Sequence, residues 1–265
     1  MADRTITLLG VHGLGDHRAS DWMEKWPEAI LRAFPAIEGV SLDFRFVTYD
    51  DIFEKTEISW AECASAVWKL TRSGLLSIGR RERGVLAEIN DRIRWTAGYV
   101  VAWVEDEGFR RESRRRIYDA LKEHRPDVIL AHSLGSLVTY NAFTHPGAAA
   151  VAPILKKARY VTLGAQIGNP FVVRNLTSGR IVPLDVVHWH HLYNVHDDLF
   201  TAPIRLWDAD NFSQTETPSD DDGVGDHAAT SYFVHRSTIE NVWRPIGAAA
   251  VGARELAPAR RPVPA

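Results

Sequence analysis

From Val128 the chain reads Val-Ile-Leu-Ala-His-Ser-Leu-Gly-Ser, and Leu137, Val138, Tyr140, Asn141 and Ala142 follow before a break at Pro146-Gly147. The apolar, β-branched start predicts a buried strand, and the spacing after it predicts a helix. Almost nothing separates the two. A strand that turns so sharply into a helix strains the backbone of the residue at the bend and pushes its side chain out at the strand's end. Residues flanking the bend have to be small to clear the neighbouring strand and helix. Here the bend is Ala131-His132-Ser133-Leu134-Gly135, a nucleophile elbow with alanine where glycine is usual. A serine held there faces helix N-terminal amides and the positive end of the dipole, both suited to developing negative charge. The plainer reading of the same string is a serine that only caps a helix.

Length and composition set the frame for that bend. A chain of 265 residues that is 45% hydrophobic can build one sizeable core, or at most two small ones. Residues 1–247 are expected to form a single α/β domain, with about 50–108 as a helical cap or lid insertion. From Gly247 onward Ala, Pro, Gly and Arg dominate, so 248–265 is expected to be a disordered tail. A net charge of −3 and a pI near 6.4 give no electrostatic pull toward nucleic acid. Cys63 is the lone cysteine, which excludes an intramolecular disulfide framework and fits a reducing compartment. The start Met-Ala-Asp-Arg-Thr does not read as a secretory leader, and no run reaches the roughly 20 apolar residues of a spanning helix. A cytoplasmic protein is the expectation.

Residues 5–11 read as a buried strand that enters His12-Gly13-Leu14-Gly15-Asp16-His17, where glycines allow a tight turn and close approach of a ligand. The segment lacks the Lys-Ser/Thr ending and full glycine spacing of a phosphate loop. Ser20 or Asp21 is expected to cap a helix, with Glu24 completing a capping box. Trp22, Trp26, Ile30 and Ala33 form that helix's buried stripe. Alternation of Leu42, Phe44 and Phe46 with polar residues marks a sheet edge. Within 50–108, Trp60, Ala64, Val67, Trp68 and Leu75 suggest one helix, and Leu86, Ile89, Ile93 and Ala97 another. This insertion reads either as a cap with a core-facing stripe or as a mobile lid that meets an acyl chain or, transiently, a membrane surface. A charged helix over 110–123, a strand over 158–163 ending at Gly164, a loop over 165–170 and a strand over 190–195 follow. Thr215 to Asp226 is acidic and is expected to be flexible, delivering His227 to a final segment through Ile239, Val242 and Trp243.

Strands alternating with helices predict a mostly parallel sheet with helices on both faces. If the strand ending at His12 lies beside the strand ending at Ser133, their carboxyl ends flank a switch point where such sheets bind ligands. A serine needs a base, and the base needs an orienting group. Asp197 and Asp198 follow a strand, and His227 comes later, so the order Ser…Asp…His suits this kind of sheet. The neighbouring His188, His190, His191 and His196 invite a metal reading. Strand alternation sends His188 and His190 to one face and His191 to the other, so no metal site is expected. His145 and His235 read as surface or packing residues. Glu62 and Glu105 to Glu107 read as solvated.

Taken together, His12-Gly13, Ala131 to Gly135, Asn194 to Leu199 and Gly225 to His227 resemble compact serine hydrolases of the α/β-hydrolase fold, similar to small lipases and esterases. That resemblance implies Ser133 as nucleophile, His227 as general base and Asp198 as the acid, with Asp197 its close rival. It implies the Leu134 and Leu14 amides as oxyanion donors, supported by His12, Gly13, Gly15, His132 and Gly135. The implied substrate is a small or lipid-like carboxylic ester, with no cofactor and no nucleic acid. An acyltransferase using the same residues, or a non-catalytic binding or scaffold protein on the same fold, are the other readings.

Overall fold

The computed structural model describes residues 4–13, 21–53, 100–197, 201–207, 209–218 and 227–255. Its strands are β1 (Arg4–Val11), β2 (Val40–Val47), β3 (Val128–His132), β4 (Arg159–Leu163), β5 (His188–Tyr193) and β6 (Phe212–Glu216). They form one sheet in the order β2-β1-β3-β4-β5-β6, and every neighbouring pair is parallel. The α/β class expected from the alternating pattern is therefore observed. The chain steps outward from β1 to the edge strand β2, then crosses back to β3 on the other side of β1. The switch point falls between β1 and β3, where Val11 lies opposite Ala131.

The first four residues of β3, Val128 to Ala131, are apolar because both faces of the strand are covered. Val128 and Leu130 join a cluster with Trp22, Trp26, Phe233 and Trp243, while Ile129 and Ala131 join Leu121, Leu137, Tyr160 and Trp189. Each half of the alternation thus feeds its own layer. On the first face lies α1 (Trp22–Ala33), whose Trp22, Trp26, Ile30 and Ala33 are buried as their spacing predicts. Its capping box is not formed. The Asp21 carboxylate instead pairs with Lys25 at 3.0 Å, one turn on, and only the Asp21 carbonyl receives the amides of Glu24 and Lys25.

On the second face lie α2 (Glu107–His124) and α3 (Leu134–Thr144). α2 begins earlier than Arg110 because the Asp106 side chain accepts from the Phe109 amide and supplies the cap. Residues 100–105 are helical, and Val100, Val101, Trp103 and Val104 are buried in the core, with Trp103 Nε1 donating to Ser113 Oγ at 3.1 Å. That end of the expected cap is part of the domain's interior. The rest of it, from residue 54 to 99, lies outside the described residues.

Two further expectations are corrected, and one element is added. Residues after the 165–170 loop form α4 (Pro170–Leu176), started by a proline at its first turn and capped by Asn169. Thr215 and Glu216 belong to β6, not to a flexible segment; residues 219–226 lie outside the described ones. After α5 (Ala229–Val234), the last described element is α6 (Arg244–Glu255), which runs on past residue 247 with Ile246 and Ala250 buried. Alanine, counted above toward disorder, is the strongest helix former once an apolar edge can pack. Residues 256–265 lie outside the described ones. Among the described residues no helix is long and apolar enough to cross a membrane.

Candidate active site

Ser133 stands between β3 and α3 with φ 52° and ψ −126°. A non-glycine residue adopts positive φ only when its surroundings enforce it, at a cost on the order of 1–3 kcal/mol. Two contacts enforce it here. The Ser133 amide donates to Leu163 O on β4 at 3.0 Å, and the next turn is driven against β1. A Cβ at Gly135 would stand 2.3 Å from His12 O and 2.5 Å from Val11 O, so only glycine lets the helix start this close to the neighbouring strand. Ala131, at the position usually held by glycine, is fully enclosed and fits. Leu134 is the first helical residue, so its N–H has no acceptor within the helix and is positioned to donate near Ser133.

On the β1 side, His12 is buried and is held by its neighbours. Its ring stacks on Tyr49 with centroids 4.4 Å apart and meets the Trp22 edge at 5.0 Å. The Tyr49 hydroxyl donates to the His12 carbonyl. Gly13 abuts the serine, since a Cβ there would come 2.6 Å from Ser133 Cβ. Leu14 and Gly15, expected as oxyanion donor and loop support, lie outside the described residues.

The chain that follows β5 turns at Asn194, whose Oδ1 accepts from the His196 amide at 3.0 Å, and the Asp197 amide returns to Asn194 O at 3.2 Å. This brings the Asp197 carboxylate beneath His227, with Oδ2 accepting from His227 Nδ1 at 2.6 Å. Asp197's side chain is 0% exposed. The sequence favoured Asp198, which lies outside the described residues; the carboxylate that meets the imidazole is Asp197. The Tyr232 hydroxyl on α5 also donates to Asp197 Oδ2, at 2.9 Å.

His227 is tied to the elbow through its neighbour. His132 Nε2 lies 2.7 Å from His227 O, and the rings are 4.7 Å apart. A carbonyl can only accept, so His132 carries its proton on Nε2. Gly164, at φ +54°, gives His227 its berth, because a Cβ there would press on Cε1 at 3.1 Å. With Nδ1 donating to Asp197, the lone pair of the imidazole resides on Nε2, which is the form a general base needs.

Two residues at this site escaped the sequence reading. Tyr232 holds Asp197, and Gln166, fully buried after β4, points Nε2 at Ser133 Oγ at 3.4 Å. One signal for Gln166 was its position two residues beyond Gly164, at the carboxyl end of the strand beside β3. A further expectation is corrected: Ser133 is only 2% exposed, enclosed by the packing just described.

The histidines of β5 are occupied within the sheet. His188 Nε2 and His190 Nδ1 both meet Ser213 Oγ, at 2.7 and 2.8 Å, and His190 Nε2 meets Thr215 Oγ1 at 2.9 Å. His191 faces the other way, with Thr162 Oγ1 2.9 Å from Nδ1 and Ala202 O 3.3 Å from Nε2. Burial pushes His190 and His191 down to about 4. Among the described residues no three His, Cys, Asp or Glu side chains converge on a metal-sized site. His145 and His235 serve locally, each accepting a backbone amide two residues on.

Comparisons with protein-family models, with curated proteins and with solved structures give no match for this chain.

Proposed function

We propose that the chain is a serine hydrolase of carboxylic esters on an α/β-hydrolase fold, with Ser133 as nucleophile, His227 as general base and Asp197 as the acid. Ser133 Oγ attacks the ester carbonyl carbon while its proton passes to His227 Nε2. The carbonyl oxygen takes the negative charge and faces the Leu134 amide. Collapse expels the alcohol, which takes the proton from His227 and leaves an acyl group on Oγ. Water repeats the cycle and frees the acid. No cofactor enters, and the lone cysteine fits work in the cytoplasm. Supporting this reading above all is one conjunction: a buried His227–Asp197 pair bonded to an elbow whose serine is held at φ 52°.

One observation favours the rival reading, a binding protein on the same fold. Ser133 is only 2% exposed, and a binding role needs no ester at its hydroxyl. A fluorophosphonate probe separates the two. The wild type is expected to be labelled at Ser133 and to hydrolyse a chain-length series of model esters, with Ser133→Ala unlabelled and inactive. No labelling of the wild type, or equal labelling of Ser133→Ala, leaves the binding reading standing.

A further inference from the structure

Gln166 is placed with unusual firmness for a loop residue. Its carbonyl accepts the Asn169 amide at 2.9 Å, and the preceding Ala165 carbonyl accepts the Ala202 amide at 3.3 Å. At Gly168 a Cβ would stand 2.2 Å from Pro203 O, so the loop after β4 lies directly on the 202–203 segment. Ala165, Gln166 and Ile167 are all fully buried. This packing aims the Gln166 carboxamide at Ser133 Oγ, with Nε2 at 3.4 Å.

An amide nitrogen donates and never accepts. A serine oxygen that receives it keeps its own proton for a base. As that proton leaves, charge collects on Oγ, and an ordinary N–H···O contact becomes a charge-assisted one that is shorter and about twice as strong. Burial amplifies the gain, because no water competes for either partner. A carboxamide is also neutral across the working pH range, so it supports the anion without adding a charge to the site.

We propose that Gln166 is a catalytic residue: its side-chain amide holds Ser133 Oγ and stabilises the charge on that oxygen while the Oγ–H bond breaks toward His227 Nε2 and the Oγ–carbon bond forms. This rests on the serine-hydrolase reading above. The test measures the rate of Ser133 labelling by a small fluorophosphonate, with the thermal midpoint of each variant as a check of folding. Gln166→Met, which cannot donate, is expected to slow labelling about 100-fold. Gln166→Glu keeps the shape and is expected to be slowed as strongly at neutral pH. Its deficit against the wild type should shrink as pH falls, because a protonated carboxyl donates again; a purely structural role would not produce that recovery. A folded Gln166→Met or Gln166→Glu protein that reacts within about threefold of the wild type at every pH overturns the proposal and leaves the Ser133 assignment intact. A wild type that does not label overturns both.

Discussion

His227 Nδ1 donates to Asp197 Oδ2 at 2.6 Å, and the carboxylate that receives it is wholly enclosed. A carboxylate only accepts, so this contact fixes the tautomer and aims the ring. In the proposed mechanism it also steadies the imidazolium that forms when the serine proton arrives. Asp197→Asn leaves the shape in place but offers an amide that can hold the wrong tautomer. The expected loss in kcat is on the order of 10³–10⁴. Asp198→Asn, at the position favoured by sequence, is expected to stay within about threefold of the wild type. Turnover of a short-chain ester by the two variants decides the acid, and a larger loss at Asp198 would reverse the assignment.

Tyr232 shares that same oxygen. Its hydroxyl donates to Asp197 Oδ2 at 2.9 Å, from a helix packed against α1 through Trp26 and Phe233, whose rings are 5.1 Å apart. Oδ2 is therefore held between two donors, which limits the rotation of the carboxylate and so of the imidazole. Tyr232→Phe removes one donor and almost no volume. The expected cost is about 1–2 kcal/mol of stability, since a hydrogen bond to a buried charged group is lost. Catalysis is expected to fall about 3–10-fold in kcat with KM unchanged, because the phenol touches no substrate. Paired steady-state kinetics and urea unfolding test this. A rise in KM with kcat intact would mean that Tyr232 borders the substrate instead.

What the sequence disclosed is local. The strand-to-helix bend at Ser133, the Trp22, Trp26, Ile30 and Ala33 stripe and the alternation of β2 each depend on residues a few positions apart, and each is observed. What it withheld depends on contacts made across the sheet. Asp197 and Asp198 are adjacent and chemically alike; the Asn194 turn sets the Asp197 carboxylate against His227, and spacing carries no trace of that turn. Gln166 and Tyr232 meet Ser133 and Asp197 only when β4 and α5 come beside the elbow. β6 was hidden because its short, polar Phe-Ser-Gln-Thr-Glu stretch runs into acidic residues. It pairs with β5 through the backbone, where side-chain polarity counts for little at an edge. The burial of Ser133 was hidden for a related reason. Bend geometry predicts a protruding side chain, but it says nothing of the Gln166 carboxamide and the Gly13 backbone that pack beside it.

β5 gives the fold an acid sensitivity of its own. His190 and His191 lie on opposite faces of the strand, and burial lowers both from 6.5 to about 4. A depressed pKa means that the unfolded chain takes up protons first as pH falls. The stabilisation from each neutral imidazole is therefore complete above 6.5, shrinks through the interval from 6.5 to 4, and is gone below it. Each histidine contributes at most roughly 3 kcal/mol by this route. Glu107 and Glu112, whose carboxyls are held below their ordinary 4.5 by hydrogen bonds from Arg114 and Arg115, lose their contribution only below that value, so among these described groups the window between 6.5 and 4.5 belongs to histidine. Urea midpoints are expected to fall steadily across that window in the wild type. His191→Asn, which keeps a group able to meet Thr162 but does not titrate, is expected to start lower at pH 7 and to fall less steeply. Equal slopes in the two proteins would show that His191 is not the group whose protonation the native core resists.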